Sequence, residues 1–344
     1  MTSPATLLEE HGAELAELER EMVRETAVTP KELVYAKGTL RLYHYLPQTD
    51  DIYRVPMLLV MSMVSKPYIF DLAPGQSLIE YLVRQGFDVY LVDWGTARSE
   101  HKDFGVADYL DEIGDCVGEV RRHSGEPEIT ILGYCLGGVL TALYAALESK
   151  PVIKNLLQIA TPIHGPGMIL QHKLLTSQGL DPDLLVKTFG NVPSYMVEGG
   201  FQVMRPLQKA SGQASLLNNT LDREFVKAHL RLVRWGEDAL PFPGRAFLEL
   251  VHDLVVGDKV VKGQFEVHGR KARLGDIRVP ALHVLAEHDH VVPYTSSKPL
   301  IEAIGSRDKE EWVIKGGHVS LVAGVGAVTR TWPRLAQWLA PRSV

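Results

Sequence analysis

In "ILGYCLGGVL", residues 131–140, Cys135 lies between Gly133 and Gly137 in the spacing glycine–x–nucleophile–x–glycine. The run before it, "EITILGYC", is apolar and β-branched, whereas "LGGVLTALYAALES" after it is rich in alanine and leucine, so the cysteine falls where a strand turns into a helix. Such a turn is tight, and the glycines admit the close backbone approach it needs. The helix that follows aims its free N–H groups at the side chain, which favours a thiolate, the reactive form of cysteine. A buried structural cysteine in a tight turn is the plainer alternative.

The residues that such a sulfur needs follow in chain order. Asp289 lies just past the strand of "HVLAEHDHVVP", and His318 lies just past that of "WVIKGGHVSL". Nucleophile, acid and histidine in that order, each at a strand's carboxyl end, predict Cys135 as nucleophile, His318 as base and Asp289 as the carboxylate that orients the imidazole. The backbone N–H of Leu136 is the expected first donor to an oxyanion, and that of Val64, after the strand "MLLVMSM", the second. Ser65, His164 in "TPIHGPG" and His290 beside Asp289 are candidates to line the substrate. No metal-ligand spacing, phosphate loop or dinucleotide fingerprint is present, so neither metal nor cofactor is expected; "GDKVVKG" and "GVGAVTR" read as glycine-bearing loops.

The elements that must position these residues alternate. "VPMLLVMSM", "FDVYLVDW", "EITILGYC" and "VIKNLLQIAT" read as buried strands; "GQSLIEYLVRQG", "VADYLDEIGDCVGEVRRH" and the run after Cys135 read as helices. Such near-continuous apolar strands predict an α/β fold, a doubly wound and mostly parallel sheet covered on both faces. From 163 to 274 the rhythm gives way to helical and irregular sequence, and it then returns. The expected layout is an N-terminal helical segment over 1–27, a core over 28–162 and 275–344, and an inserted, mainly helical cap over 163–274. Within the first segment, 6–23 has Leu8, Leu15, Leu18 and Met22 on one stripe, and "ELVYAKGTLRLYHYL" reads as a hairpin.

The 344 residues carry a formal charge of −6, with 45% hydrophobic and 23% charged residues, as in ordinary globular proteins, and this balance argues against a nucleic-acid surface. Two cysteines, Cys116 and Cys135, make no disulfide framework and fit a reducing cytoplasm; Cys116 reads as a core residue. The N-terminus lacks the pattern of a secretory signal, and glycines break the longest apolar run, 129–147, so no transmembrane segment is expected.

With "KPYIFDLAPGQSLIEYLVRQGFDVYLVDWG", "ILGYCLGG", "ELVHDLVVGDKVVKG", "VPALHVLAEHDHVVP" and "GGHVSLVAG", the chain resembles, from about Val28 to Leu339, the short catalytic subunit of the two-subunit polyhydroxyalkanoate synthases, in the α/β-hydrolase superfamily. The resemblance implies roles for Cys135, Asp289 and His318 as above. It implies a 3-hydroxyacyl-coenzyme A substrate, short-chain (3-hydroxybutyryl), a growing polyester chain held as a thioester on the cysteine, and no separate cofactor. A second synthase subunit, a homodimer and a cytoplasmic location at the granule surface are implied with it. Ser65-Lys66 departs from the family's usual asparagine-arginine, and His164-Gly165 from its usual aspartate. The three residues alone leave open a thioesterase or depolymerase, or an idle granule scaffold.

Overall fold

The computed structural model describes residues 16–177, 179–204 and 222–344. Eight strands form one sheet in the order β1-β2-β4-β3-β5-β6-β9-β10. They are β1 (Lys31–Lys37), β2 (Leu40–Tyr45), β3 (Met57–Val60), β4 (Val89–Asp93), β5 (Ile129–Tyr134), β6 (Ile153–Ile159), β9 (Ala281–Ala286) and β10 (Lys309–Ile314). The hairpin β1–β2 is antiparallel and β2 runs antiparallel to β4; every later pairing is parallel. The order reverses around β3, between β4 and β5, and this is where a doubly wound sheet opens a crevice at its carboxyl edge.

Each sheet face is sealed by helices whose apolar stripe matches it. Helices α1 (Leu78–Arg84) and α8 (Trp332–Leu339) cover one face through Leu78, Leu82, Trp332 and Leu335. Helices α2 (Val106–Ser124) and α3 (Leu136–Leu147) cover the other through Ile113, Val117, Val139 and Leu140. Cys116 is fully buried in that second layer, as a core residue. The segment 324–330 departs from the expected loop: Ala327–Thr331 is helical and runs directly into α8.

Between β6 and β9 the chain leaves the sheet and builds α4 (Ile169–Thr176), α5 (Pro182–Phe189), α6 (Ser194–Met204), α7 (Arg223–Glu237) and a helical run over 244–256. The small hairpin of β7 (Phe265–Val267) and β8 (Arg270–Ala272) packs instead on the end of α3, where Arg270 Nη2 donates to Leu147 O at 2.7 Å. The last stretch of the insertion thus braces the core and does not overlie the crevice. At the N-terminus, 16–25 is helical with Leu18 and Met22 buried, and the expected part of this helix before residue 16 lies outside the described residues. Glu21 pairs with Arg223 (2.9 Å) and Lys227 (3.1 Å), and Glu25 pairs with Arg231, so this helix is tied to α7.

One core position carries a cost that can be measured. His283 on β9 is completely buried, neither ring nitrogen has a hydrogen-bond partner among the described residues, and Glu311 Oε2 at 3.8 Å is too far to provide one. Burial pushes its pKa down to about 3, so the folded chain refuses a proton that the unfolded chain takes up near the ordinary value of 6.5. The stability that depends on neutral His283 is therefore complete above that value and is lost as pH falls from there toward 3, by about 1.4 kcal/mol per unit. His283→Leu should remove this part of the acid sensitivity, read as a flatter plot of denaturant midpoint against pH; identical slopes for the two chains would refute it.

Candidate active site

The sequence around Cys135 folds as a strained elbow. Cys135 has φ 56° and ψ −125°, a left-handed conformation that side-chain-bearing residues rarely adopt and that costs on the order of 1–3 kcal/mol. Close packing on both sides enforces it. A Cβ on Gly137 would strike the carbonyl of Val60 and the backbone of Met61, and one on Gly138 would strike the Thr161 hydroxyl and Gln158 Oε1. The first turn of α3 therefore sits directly on the end of β3, and only glycine permits that approach. Beneath it, Gln158 Nε2 donates to Thr141 Oγ1 (2.9 Å) and Thr161 Oγ1 donates to Gln158 Oε1 (2.8 Å), which satisfies buried polar groups.

The expected acid and histidine meet next to this elbow. His318 Nδ1 lies 2.6 Å from Asp289 Oδ2, and the other carboxylate oxygen accepts the N–H groups of Val291 (2.9 Å) and Val292 (2.8 Å). With Nδ1 engaged, the opposite ring nitrogen is left for Cys135, whose sulfur lies near enough to help raise the pKa of the ring. Cys135, Asp289 and His318 are 7%, 7% and 8% exposed, so all three work out of bulk water. Burial alone would lower the His318 pKa, but the Asp289 carboxylate and the Cys135 sulfur together hold it up to about 10. Tyr134, inside the glycine motif itself, stacks on the imidazole at 4.9 Å and donates its hydroxyl to His318 O at 3.3 Å.

Cys135 and His318 open into one small cavity. The core side of this cavity is Met61, Ser62 and Ser65, and the insertion closes it with Phe201, Trp235 and Ala239. Ser65 is thus where the sequence places it. It bridges to Ala239, while the Trp235 indole donates to Lys66 O at 2.8 Å. The Ser65-Lys66 departure therefore falls where cap meets core. No sequence signal singles out Phe201 or Trp235, because their contact with the elbow depends on how the insertion folds back.

Three expected residues lie elsewhere. Val64 is buried away from the cavity; its N–H points to Ser62 Oγ (3.5 Å) and its carbonyl accepts Leu240 N–H (2.9 Å), since the chain after β3 turns so that Met61 and Ser62 face the elbow. His164 Nδ1 is 3.0 Å from Asp258, which also accepts Gly165 N–H at 2.9 Å, so this histidine ties the root of the insertion and does not line the cavity. His290 is exposed, because Asp289 turns inward and its neighbour must turn out. Leu136 follows the sulfur at the start of α3, where the first N–H groups of a helix are free of intrahelical partners. The Trp94 indole donates to Met61 O at 2.9 Å, which explains the "DW" at the end of β4: it fixes the loop opposite the elbow. Among the described residues no helix is long and apolar enough to cross a membrane.

Comparison with known proteins bears on the fold and the family. Residues 69–324 match the α/β-hydrolase fold family, and residues 13–82 match the N-terminal family of poly-β-hydroxybutyrate polymerase. A poly(3-hydroxyalkanoate) polymerase subunit PhaC of Haloferax mediterranei is 34% identical over 94% of this chain and 66% of its own length. That of Allochromatium vinosum is 31% identical over 92% of this chain and 90% of its own. Among solved structures, a putative lipase from Sulfolobus solfataricus superposes with TM-score 0.59 at 16% identity, covering 91% of this chain and 99% of its own. The monoglyceride lipase of Saccharomyces cerevisiae does so with TM-score 0.56 at 16% identity, covering 93% and 98%. These two likenesses concern the fold alone, while the sequence relatives fix the family. The chain belongs to the poly(3-hydroxyalkanoate) polymerases, acyltransferase-type enzymes built on the α/β-hydrolase fold.

Proposed function

We propose that the chain polymerises short 3-hydroxyacyl units from coenzyme A thioesters through an acyl-thioester on Cys135. The reading is carried by one observation: the imidazole facing Cys135 is fixed at its other nitrogen by a buried carboxylate, 2.6 Å away. Cys135 attacks as the thiolate, with its proton held on His318. The sulfur bonds to the acyl carbon, the bond to coenzyme A sulfur breaks, and the His318 proton passes to that leaving thiolate. His318, now neutral, takes the proton of the hydroxyl that attacks next, and the sulfur is released as the new ester forms. Asp289 keeps the ring in register and balances its positive charge throughout. Leu136 N–H and the turn at Met61–Ser62 are the donors we assign to the transient oxyanion.

Sulfur suits transfer because exchange between thiol and thioester is nearly isoenergetic, so the acyl group stays activated. Water must then be excluded, and the closing of the cavity by Phe201 and Trp235 supports that role for the insertion. Access for a coenzyme A thioester by movement of the cap belongs to the same proposal. The relatives are named as subunits, and a second subunit, self-association and a granule-surface location belong to this proposal.

With 3-hydroxybutyryl-coenzyme A, thiol release should accompany turbid polymer, assayed with and without a candidate second subunit; free acid in place of polymer would reassign the chain to hydrolysis. Cys135→Ala should abolish thiol release, Cys116→Ala should keep it, and Asp289→Asn should lower it by about 10²–10⁴-fold. Trp235→Ala should speed modification of Cys135 by a bulky maleimide and raise the share of free acid among products; an unchanged rate would show that Trp235 does not gate the cavity.

A further inference from the structure

A second cluster lies at the opposite edge of the sheet, away from Cys135. Glu32 on β1 is paired in register with His44 on β2, which in turn faces Tyr90 on β4. His123 reaches the same place from the last turn of α2. His44 Nδ1 is 3.0 Å from Glu32 Oε1, and His123 Nε2 is 3.7 Å from that same oxygen. One donor atom from each of the three residues lies within 4.8 Å of the others.

The outward ring nitrogens are already engaged, which fixes the direction of the inward ones. His44 Nε2 is 2.8 Å from Asp88 Oδ1, and Asp88 is 7% exposed. His123 Nδ1 is 2.8 Å from the Tyr90 hydroxyl. Asp88 thus accepts from His44, and the Tyr90 hydroxyl engages His123. Both imidazoles are held with Nε2 of His123 and Nδ1 of His44 turned toward the Glu32 carboxylate. A histidine that donates one ring N–H to a carboxylate or its relay and offers the other nitrogen inward is the usual arrangement of a metal-ligating histidine.

We propose that Glu32, His44 and His123 bind a first-row divalent transition metal, with zinc the best match, and that this ion staples the β1–β2 edge to the end of α2. Two imidazoles and one carboxylate suit zinc, whose ligands sit at about 2.0–2.1 Å and whose tetrahedral donors are therefore about 3.3 Å apart. The two histidine-to-Glu32 separations, 3.0 and 3.7 Å, lie on either side of that value, and side-chain rotations would bring the donors, all within 4.8 Å of one another, around one ion. Charge agrees as well. Glu32 and Asp88 bring two negative charges, which one divalent ion neutralises, whereas a proton shared on His44 neutralises only one. With Glu32 half exposed, water supplies the fourth ligand. The three residues lie far apart in sequence, so no ligand spacing announces the site.

The test is zinc binding to the metal-stripped full chain carrying Cys135→Ala, which prevents capture by that sulfur. Calorimetry should give one equivalent of zinc, with a rise of several degrees in melting temperature. Cobalt should give the strong visible absorption of a tetrahedral nitrogen–oxygen site. The double variant Glu32→Gln, His123→Ala, both outside the core, should melt like its parent without metal yet bind zinc at least about 100-fold more weakly. Retained affinity in that variant, an equal shift with magnesium, or no binding by the parent would each overturn the proposal.

Discussion

The contact on which the site depends is that between the first turn of α3 and the end of β3. Gly137 lies against Val60 and Met61 so closely that no side chain fits between them, and this approach holds Cys135 at positive φ with its sulfur raised above the sheet. The strain is affordable because everything around it is rigid. β5 is hydrogen-bonded on both sides, Thr141, Gln158 and Thr161 close a buried polar network under the helix, and Trp94 anchors Met61 from the far side. Loosening any of these would let the cysteine relax into ordinary backbone geometry and swing away from His318.

Around that fixed sulfur, charge is arranged by burial. Asp289 uses one oxygen on two backbone N–H groups and the other on His318, so it cannot reorient without breaking three hydrogen bonds. An imidazole between this carboxylate and a sulfur keeps its proton although burial works against it. The insertion closes over the pair through Phe201, Trp235 and Ala239. Its residues reach the elbow through few polar links, notably Trp235 to Lys66 and Ser65 to Ala239, and such links can part without disturbing the sheet. The N-terminal helix adds ion pairs to α7, so cap position is also coupled to the segment preceding β1.

That Cys135, Asp289 and His318 meet was readable because each sits just past a strand end, and strand ends in a parallel sheet converge whatever the intervening loops do. The loop after β3 was less readable. Whether Val64 or its predecessors face the elbow depends on the path of a turn, and Trp94, 33 residues after Met61, sets that path. His164 was misplaced for a related reason: its partner Asp258 lies at the far end of the insertion, and an unpaired loop histidine carries no sign of which way it points. Phe201 and Trp235 were invisible as site residues, since an apolar residue on a cap helix reads only as packing.

The order of elements, the parallel sheet, the place of the insertion and the three side chains that meet at the elbow were all fixed by local patterns, because hydrophobic period and glycine spacing act over a few residues. Folding alone decided which backbone faces the sulfur, how little room is left beside it, and that Glu32, His44 and His123 meet at the sheet edge. Those outcomes depend on strand register and on helices returning over long loops, and no short stretch of sequence contains either.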